Sequence, residues 1–271
     1  MWWDTHFHLD SFDKKGMIPE LLQSAAEADV TRMTAIGGSD EANALALNTA
    51  KSFPDQLVCS VGYDRDMATG WDQNTSNLES FIHQPEVVAI GECGLDYFHT
   101  TENIPEQHTL FEANLELALQ CKKPVVVHSR EAEDDTLAVL QNYSNAWKEP
   151  DRPCAILHCF TGDPAFAKKL IDLNIMISFS GIPTFKNATQ IQEAATALPD
   201  EVLLVETDSP YLAPVPYRGE RNQPAYVAEV GKKLAEIRNQ SAETIASLTT
   251  QNAARTFQTG QCRSAAPAEK S

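Results

Sequence analysis

Trp2-Trp3-Asp4-Thr5-His6-Phe7-His8 opens the chain as an apolar run that ends in two histidines one residue apart. On an extended strand, residues i and i+2 point to the same face, so both imidazoles can reach one ion. The same design recurs along the chain, in Gly91-Glu92, Val127-His128-Ser129, Leu157-His158-Cys159 and Glu206-Thr207-Asp208, each closing a hydrophobic segment. Imidazoles and carboxylates are metal ligands. Four of the seven histidines, His6, His8, His128 and His158, end apolar segments, whereas His83, His99 and His108 lie in polar surroundings. Ligand-type groups delivered one strand end at a time are the signature of a catalytic barrel face.

Outward from these motifs the chain alternates strand and helix. Strands are expected at 1–7, 31–37, 57–62, 87–92, 124–128, 154–158, 175–180 and 202–207. Helices are expected at 17–29, 40–52, 75–84, 105–121, 131–143, 163–173, 187–198 and 222–238. Such alternation predicts an α/β fold, a (β/α)8 TIM barrel, because each right-handed crossover places a helix outside a parallel sheet. An open doubly wound sheet fits less well. The chain has no glycine-rich phosphate loop, and an open sheet would not bring the first and last strands to one site. The expected domain is one metal-dependent hydrolase barrel over 1–259, and 260–271 has the small, polar composition of a disordered tail.

A chain of 271 residues suffices for such a barrel, and its net charge of -17 excludes a broad basic face that coats nucleic acid. The six cysteines form no Cys-x-x-Cys pair and read as reduced thiols, which removes a zinc knuckle or redox dithiol. With no signal-peptide pattern at Met1 and no apolar stretch of spanning length, the expected location is cytoplasmic, without a membrane association. Nothing in the sequence marks an obligate protein partner.

A second set of groups suits oxyanions: Ser129-Arg130, Thr161-Gly162 and Arg218-Gly219-Glu220-Arg221. Arginine grips phosphate bidentately, so Arg130, Arg218 and Arg221 are candidate substrate contacts. Surface pairing with carboxylates is the plainer alternative for them. Tyr97 and Tyr211 are candidates to stack a terminal base, against simple packing at the barrel rim.

Taken together, Asp4-Thr5-His6-Phe7-His8-Leu9, Gly91-Glu92-Cys93-Gly94-Leu95-Asp96-Tyr97, Val127-His128-Ser129-Arg130, Leu157-His158-Cys159-Phe160-Thr161-Gly162, Ser178-Phe179-Ser180-Gly181 and Glu206-Thr207-Asp208-Ser209-Pro210-Tyr211-Leu212 resemble the TatD family of metal-dependent deoxyribonucleases. The likeness spans residues 4 to about 257. It implies an amidohydrolase-type barrel, two divalent metal ions, and phosphodiester hydrolysis, with 3'-5' exonuclease action on single-stranded DNA or other nucleic-acid ends. It further implies His6, His8, Glu92, His128, His158 and Asp208 as the metal ligands, Glu92 bridging, and Asp208 orienting and deprotonating the nucleophile.

Four imidazoles and two carboxylates suit Zn, Mn, Ni or Fe better than Mg, although family members are described as magnesium-dependent. One departure stands out. Relatives read Gly-x-His-Pro after strand three, whereas this chain reads Gly62-Tyr63-Asp64-Arg65, which puts Asp64 where a histidine would meet substrate. The alternatives are an amidohydrolase acting on an ester or amide, such as a D-aminoacyl-tRNA deacylase, and a non-enzymatic barrel. Glu92 at the position where amidohydrolases often carry a carbamylated lysine favours the nuclease branch.

Overall fold

Apolar segments bounded by turns pair in strict sequence order. The computed structural model describes residues 1–71 and 74–258; the expected tail at 260–271 and Cys262 lie outside them. Its eight strands are β1 (Trp2–Phe7), β2 (Val30–Ala35), β3 (Leu57–Val61), β4 (Val87–Asp96), β5 (Val125–Arg130), β6 (Ala155–Leu157), β7 (Ile175–Phe179) and β8 (Leu203–Val205). Neighbours pair in parallel in the order β1 to β8. Beyond β8 a parallel bridge between Phe7 and Ser209 returns to β1 and closes the barrel. This is the expected (β/α)8 fold.

Around it lie α1 (Asp10–Asp13), α2 (Ile18–Glu27), α3 (Asp40–Ser52), α4 (Ser76–Ile82), α5 (Ile104–Cys121), α6 (Glu133–Ala146), α7 (Pro164–Ile171), α8 (Thr189–Ala197), α9 (Val227–Arg238) and α10 (Ala242–Phe257). Caps explain several starts. Ser39 accepts from Ala42 N, and Asp163 accepts from Phe166 N ahead of Pro164.

Two expectations change. The fourth and fifth strands, expected to stop at 92 and 128, run on to Asp96 and Arg130. Pairing continues to Asp96–Arg130 past a bulge: between the pairs Ile90–Val125 and Cys93–Val127, β4 advances three residues while β5 advances two. Glu92 is therefore aimed from inside a strand rather than from its end. The second change is α10, which the sequence reading did not anticipate. Ser241 caps it by accepting from Thr244 N, and Ile245, Ala246, Thr249, Asn252, Ala253 and Thr256 form its buried stripe.

The barrel interior is layered by strand periodicity. Its floor is an apolar cluster of Trp3, Val58, Val88, Val126, Ile156, Met176 and Leu204, plugged from below by Ala253 and Phe257 of α10. Trp3 and Phe257 have ring centroids 5.6 Å apart. Two residues further along β5 and β6, alternation delivers His128 above Val126 and His158 above Ile156. Leu204 is likewise followed by Glu206 and then Asp208. Polar groups thus sit above a dry floor, between strands too tightly hydrogen-bonded to move independently.

Outside the barrel, Trp2 fills the space above Gly231 of α9, where an added Cβ would lie 2.0 Å from Trp2 Cζ3. Gly231→Ala is expected to destabilise the protein by about 1–3 kcal/mol, because overpacking against a fixed indole outweighs alanine's helix propensity. A lower midpoint in urea denaturation with an unchanged m-value is the checking measurement.

Candidate metal centre

All six expected ligands meet at the C-terminal mouth of the barrel. His6 lies within β1 and His8 one residue past its end, and their Nε2 atoms stand 3.3 Å apart. His6 Nε2 is 3.3 Å from Glu92 Oε2 and 3.8 Å from Asp208 Oδ1. His8 Nε2 is 3.7 Å and 3.5 Å from the same two atoms. On the other side of Glu92, His128 Nδ1 and His158 Nε2 also stand 3.3 Å apart, each 3.4 Å from Glu92 Oε1. The rings of His6 and His158 stack between the halves, with centroids 3.9 Å apart.

These atoms have the chemistry of a cation site. Each pair of ring nitrogens at 3.3 Å can share a proton as an N–H···N hydrogen bond or turn both lone pairs toward one cation. Two of the possible ligand groupings divide along the same line: His6, His8 and Asp208, then Glu92, His128 and His158. A third joins His6 and His158 with Glu206. Burial opposes the negative charge of Glu92, yet His158 and His6 outweigh it and hold the carboxyl well below the usual range. Asp208 is also held low, against burial, by His8, His6 and His158. Both carboxylates are therefore ionised at neutral pH and able to bind a cation.

Two further carboxylates, missed as site residues from sequence, set the orientation of the imidazoles. Glu206, fully buried, accepts from Cys159 N at 2.7 Å and faces His158 Nδ1 at 3.3 Å, which turns Nε2 toward Glu92. Asp96 Oδ2 lies 3.0 Å from His128 Nε2 and 2.7 Å from His99 Nδ1. Asp96 also accepts from Phe98 N and His99 N, and these bonds with His128 hold it below the usual carboxylate range despite burial. A metal-bound histidine normally carries such a partner on its other nitrogen. The signal was present in sequence, since Glu206 lies two residues before Asp208 and Asp96 four after Glu92.

Asp64 lines the mouth as expected, and its neighbour Arg65 is the residue the sequence reading overlooked. Arg65 Nη1 donates to Asp64 Oδ1 at 2.6 Å and to Glu92 Oε1 at 2.9 Å. Burial and the charge of Glu92 push the Asp64 carboxyl up to about 7. The turn carrying this pair is pinned from two helices: Asn43 of α3 accepts from Gly62 N, and Asn114 of α5 accepts from Tyr63 N.

The mouth is a cavity of about 330 Å³ whose walls include Asp10, Asp64, Arg65, Asp66 and Tyr211 besides the ligands. Tyr211 is exposed, its ring centroid 6.2 Å from that of His8, as a base-stacking residue would need. The three arginines singled out from sequence do not line this cavity. Arg130 stacks 3.7 Å over Phe98, Arg218 3.8 Å over Phe185, and Arg221 4.1 Å over Phe12 while donating to Ser11. Tyr97 is committed as well, its hydroxyl donating to Asp135. Aromatic packing, which leaves little trace in sequence spacing, decides the three arginine positions, and hydrogen bonding decides that of Tyr97.

The fold and this ligand set define the class, a metal-dependent hydrolase built on a (β/α)8 barrel. Comparison with known proteins then fixes the family. Residues 3–258 match the family described as TatD related DNase, and the chain belongs to it. It is 39% identical to a protein of Escherichia coli K12 named uncharacterized metal-dependent hydrolase YcfH, over 94% of each chain. It is 31% identical to the 3'-5' ssDNA/RNA exonuclease TatD of Edwardsiella piscicida, over 94% of this chain and 98% of that one. Among solved structures, YjjV, a TatD homologue from Escherichia coli K12, superposes with a TM-score of 0.88 at 28% identity, covering 96% of this chain and 98% of that one.

Because Glu206 holds His158 without facing Glu92 itself, Glu206→Gln should leave the fold intact and weaken Mn2+ or Zn2+ binding about 10- to 100-fold. Titration calorimetry on metal-stripped protein measures this directly.

Proposed function

We propose that this hydrolase cleaves phosphodiester bonds at single-stranded nucleic-acid ends, with two divalent cations that His6, His8, Glu92, His128, His158 and Asp208 would hold. The observation that carries the reading is the division of Glu92 between two ligand sets, Oε2 toward His6 and His8, and Oε1 toward His128 and His158. The relative named as an ssDNA/RNA exonuclease supports the substrate class. When bound, such ions lower the pKa of water and neutralise charge on phosphoryl oxygens. His6, His8 and Asp208 would hold the inner one, and His128 and His158 the outer one. The sequence-level choice of Zn, Mn, Ni, Fe or Mg carries over unchanged.

The chain's own groups supply the rest. Asp208 is ionised, at the cavity wall and 3.5 Å from His8 Nε2, where it can take a proton from an attacking water. Arg65, not the rim arginines, is the guanidinium inside the cavity, so it clamps the phosphate beside the scissile bond. Among the described residues lining the mouth, Arg65 is the one arginine or lysine beside Asp10, Asp64 and Asp66, which suits a strand end rather than a basic track for a duplex, and Tyr211 provides a face for the terminal base.

The acidic rim of Asp10, Asp64 and Asp66 favours one second reading, an ester hydrolase whose substrate carries a cation, such as an aminoacyl-tRNA. Metal analysis of the purified protein, together with linear single-stranded DNA, a closed single-stranded circle, a blunt duplex, RNA, aminoacyl-tRNA and an aryl phosphodiester, separates the two. Hydrolysis of the linear strand ahead of the circle and the duplex is expected. Equal cutting of circle and linear strand would replace end recognition with endonuclease action, and turnover of aminoacyl-tRNA alone would establish the second reading.

Glu92→Ala should abolish hydrolysis while circular dichroism stays that of a folded barrel, because the floor beneath it is untouched. Asp208→Asn should lower kcat by about 10²–10⁴, since an amide can bind but cannot accept the proton. Arg65→Gln should raise KM for an oligonucleotide about tenfold or more, through loss of a charge-assisted contact to phosphate. A larger effect on kcat than on KM would instead assign Arg65 to charge developing in the transition state.

A further inference from the structure

At the opposite end of the barrel, below the starts of β3 to β6, lies a second cavity of about 650 Å³. Four cationic side chains line it, Arg32, Lys122, Lys123 and Arg152, against one carboxylate, Glu86. In a chain of net charge -17 this is an inversion of the local balance. Lys122 pairs with Glu149 at 3.2 Å. The other three have only neutral hydrogen-bond acceptors among the described residues. Arg152, 6% exposed, donates to Thr256 O and Lys122 O at 2.8 Å, to Gln258 Oε1 at 3.2 Å and to Val88 O at 3.4 Å. Lys123 donates to Val87 O. Arg32 reaches Asp55 O at 3.3 Å and lies 5.2 Å over the Trp3 ring.

Arg152 is a buried charge bonded to carbonyl and amide oxygens, which offset only part of its desolvation. With the half-buried Arg32 and Lys123 beside it around one opening, the charges leave a place for an anion of more than one charge. Beyond its bond to Val87 O, the Lys123 ammonium has further hydrogens that an anionic oxygen can accept, and Glu86 on the same wall is an acceptor for a hydroxyl. The volume is that of small-molecule sites, about 300–1,000 Å³. The active-site reading makes no use of this face, which in barrels of this kind is ordinarily devoted to stability.

We propose that the cavity is a binding site for a small phosphate monoester, its phosphate held by Arg32, Lys123 and Arg152 and a sugar hydroxyl by Glu86. Arg152 is part of the barrel seal, so the contacts to vary are Arg32 and Lys123. Titration calorimetry with inorganic phosphate and with ribose 5-phosphate, on the metal-loaded protein and after EDTA treatment, tests the site apart from the metal centre. Saturable binding that survives EDTA, is tighter for ribose 5-phosphate, is weakened about tenfold or more in Arg32→Gln/Lys123→Gln, and is unchanged in Arg65→Gln is expected.

Cys121, partly exposed on the cavity wall, gives a readout on the unaltered chain. Bound phosphate ester should slow its alkylation, followed by peptide mass spectrometry. No saturable binding after EDTA, loss of binding in Arg65→Gln, or alkylation of Cys121 indifferent to both probes would overturn the proposal. Binding of inorganic phosphate equal to that of the sugar phosphate would remove Glu86 and the hydroxyl from it.

Discussion

Closure of the barrel between its first and last strands is the constraint on which the rest depends. Asp208 N donates to His6 O at 2.9 Å, and His8 N donates to Ser209 O at 2.9 Å. These bonds fasten the end of β1 to the segment beyond β8, so three candidate metal ligands from opposite ends of the sequence share one short stretch of backbone pairing. Asp4 braces the seam from within. Fully buried, it accepts from Thr207 N at 2.8 Å and from Thr207 Oγ1 at 2.6 Å, while burial pushes its carboxyl up to about 8. Asp208 itself turns out of the strand with φ of +54°, a sparsely populated conformation that neighbouring hydrogen bonds sustain.

The mouth is an electrostatic problem solved in layers. Below these groups the interior is apolar, so on that side the carboxylates and imidazoles are satisfied by one another, by Glu206 and Asp96, and by Arg65. Glu206 and Asp96 each hold one imidazole in the tautomer that turns its other nitrogen inward. Arg65 adds a positive charge beside Glu92 and Asp64 and donates to both.

The two ends of the barrel carry opposite local charge on an acidic molecule. At an ionic strength near physiological, charges separated by more than about 8 Å are largely screened, so each cavity acts on its ligand through local groups rather than through the net charge. The acidic end carries the candidate cation ligands. The basic end has three guanidinium or ammonium groups that the described residues leave without a carboxylate, and α10, through Phe257 and Gln258, forms part of its wall.

The sequence by itself determined the fold class and the six candidate ligands, because hydrophobic runs and turn signals record where strands and helices alternate. His-Phe-His needs only the two-residue period of a strand to place both rings on one face, and a ligand after each apolar run needs only the barrel to bring the runs together. What the tertiary structure alone decided were matters of contact. The bulge that carries Glu92 depends on how β4 registers against β5, which no single strand encodes. Whether an arginine faces a cavity or lies on a phenylalanine depends on which aromatic ring the fold brings near it. Arg130, Arg218 and Arg221 went to rings and Arg65 went to the mouth, because burial and neighbouring charge, not spacing along the chain, set where a guanidinium is most stable.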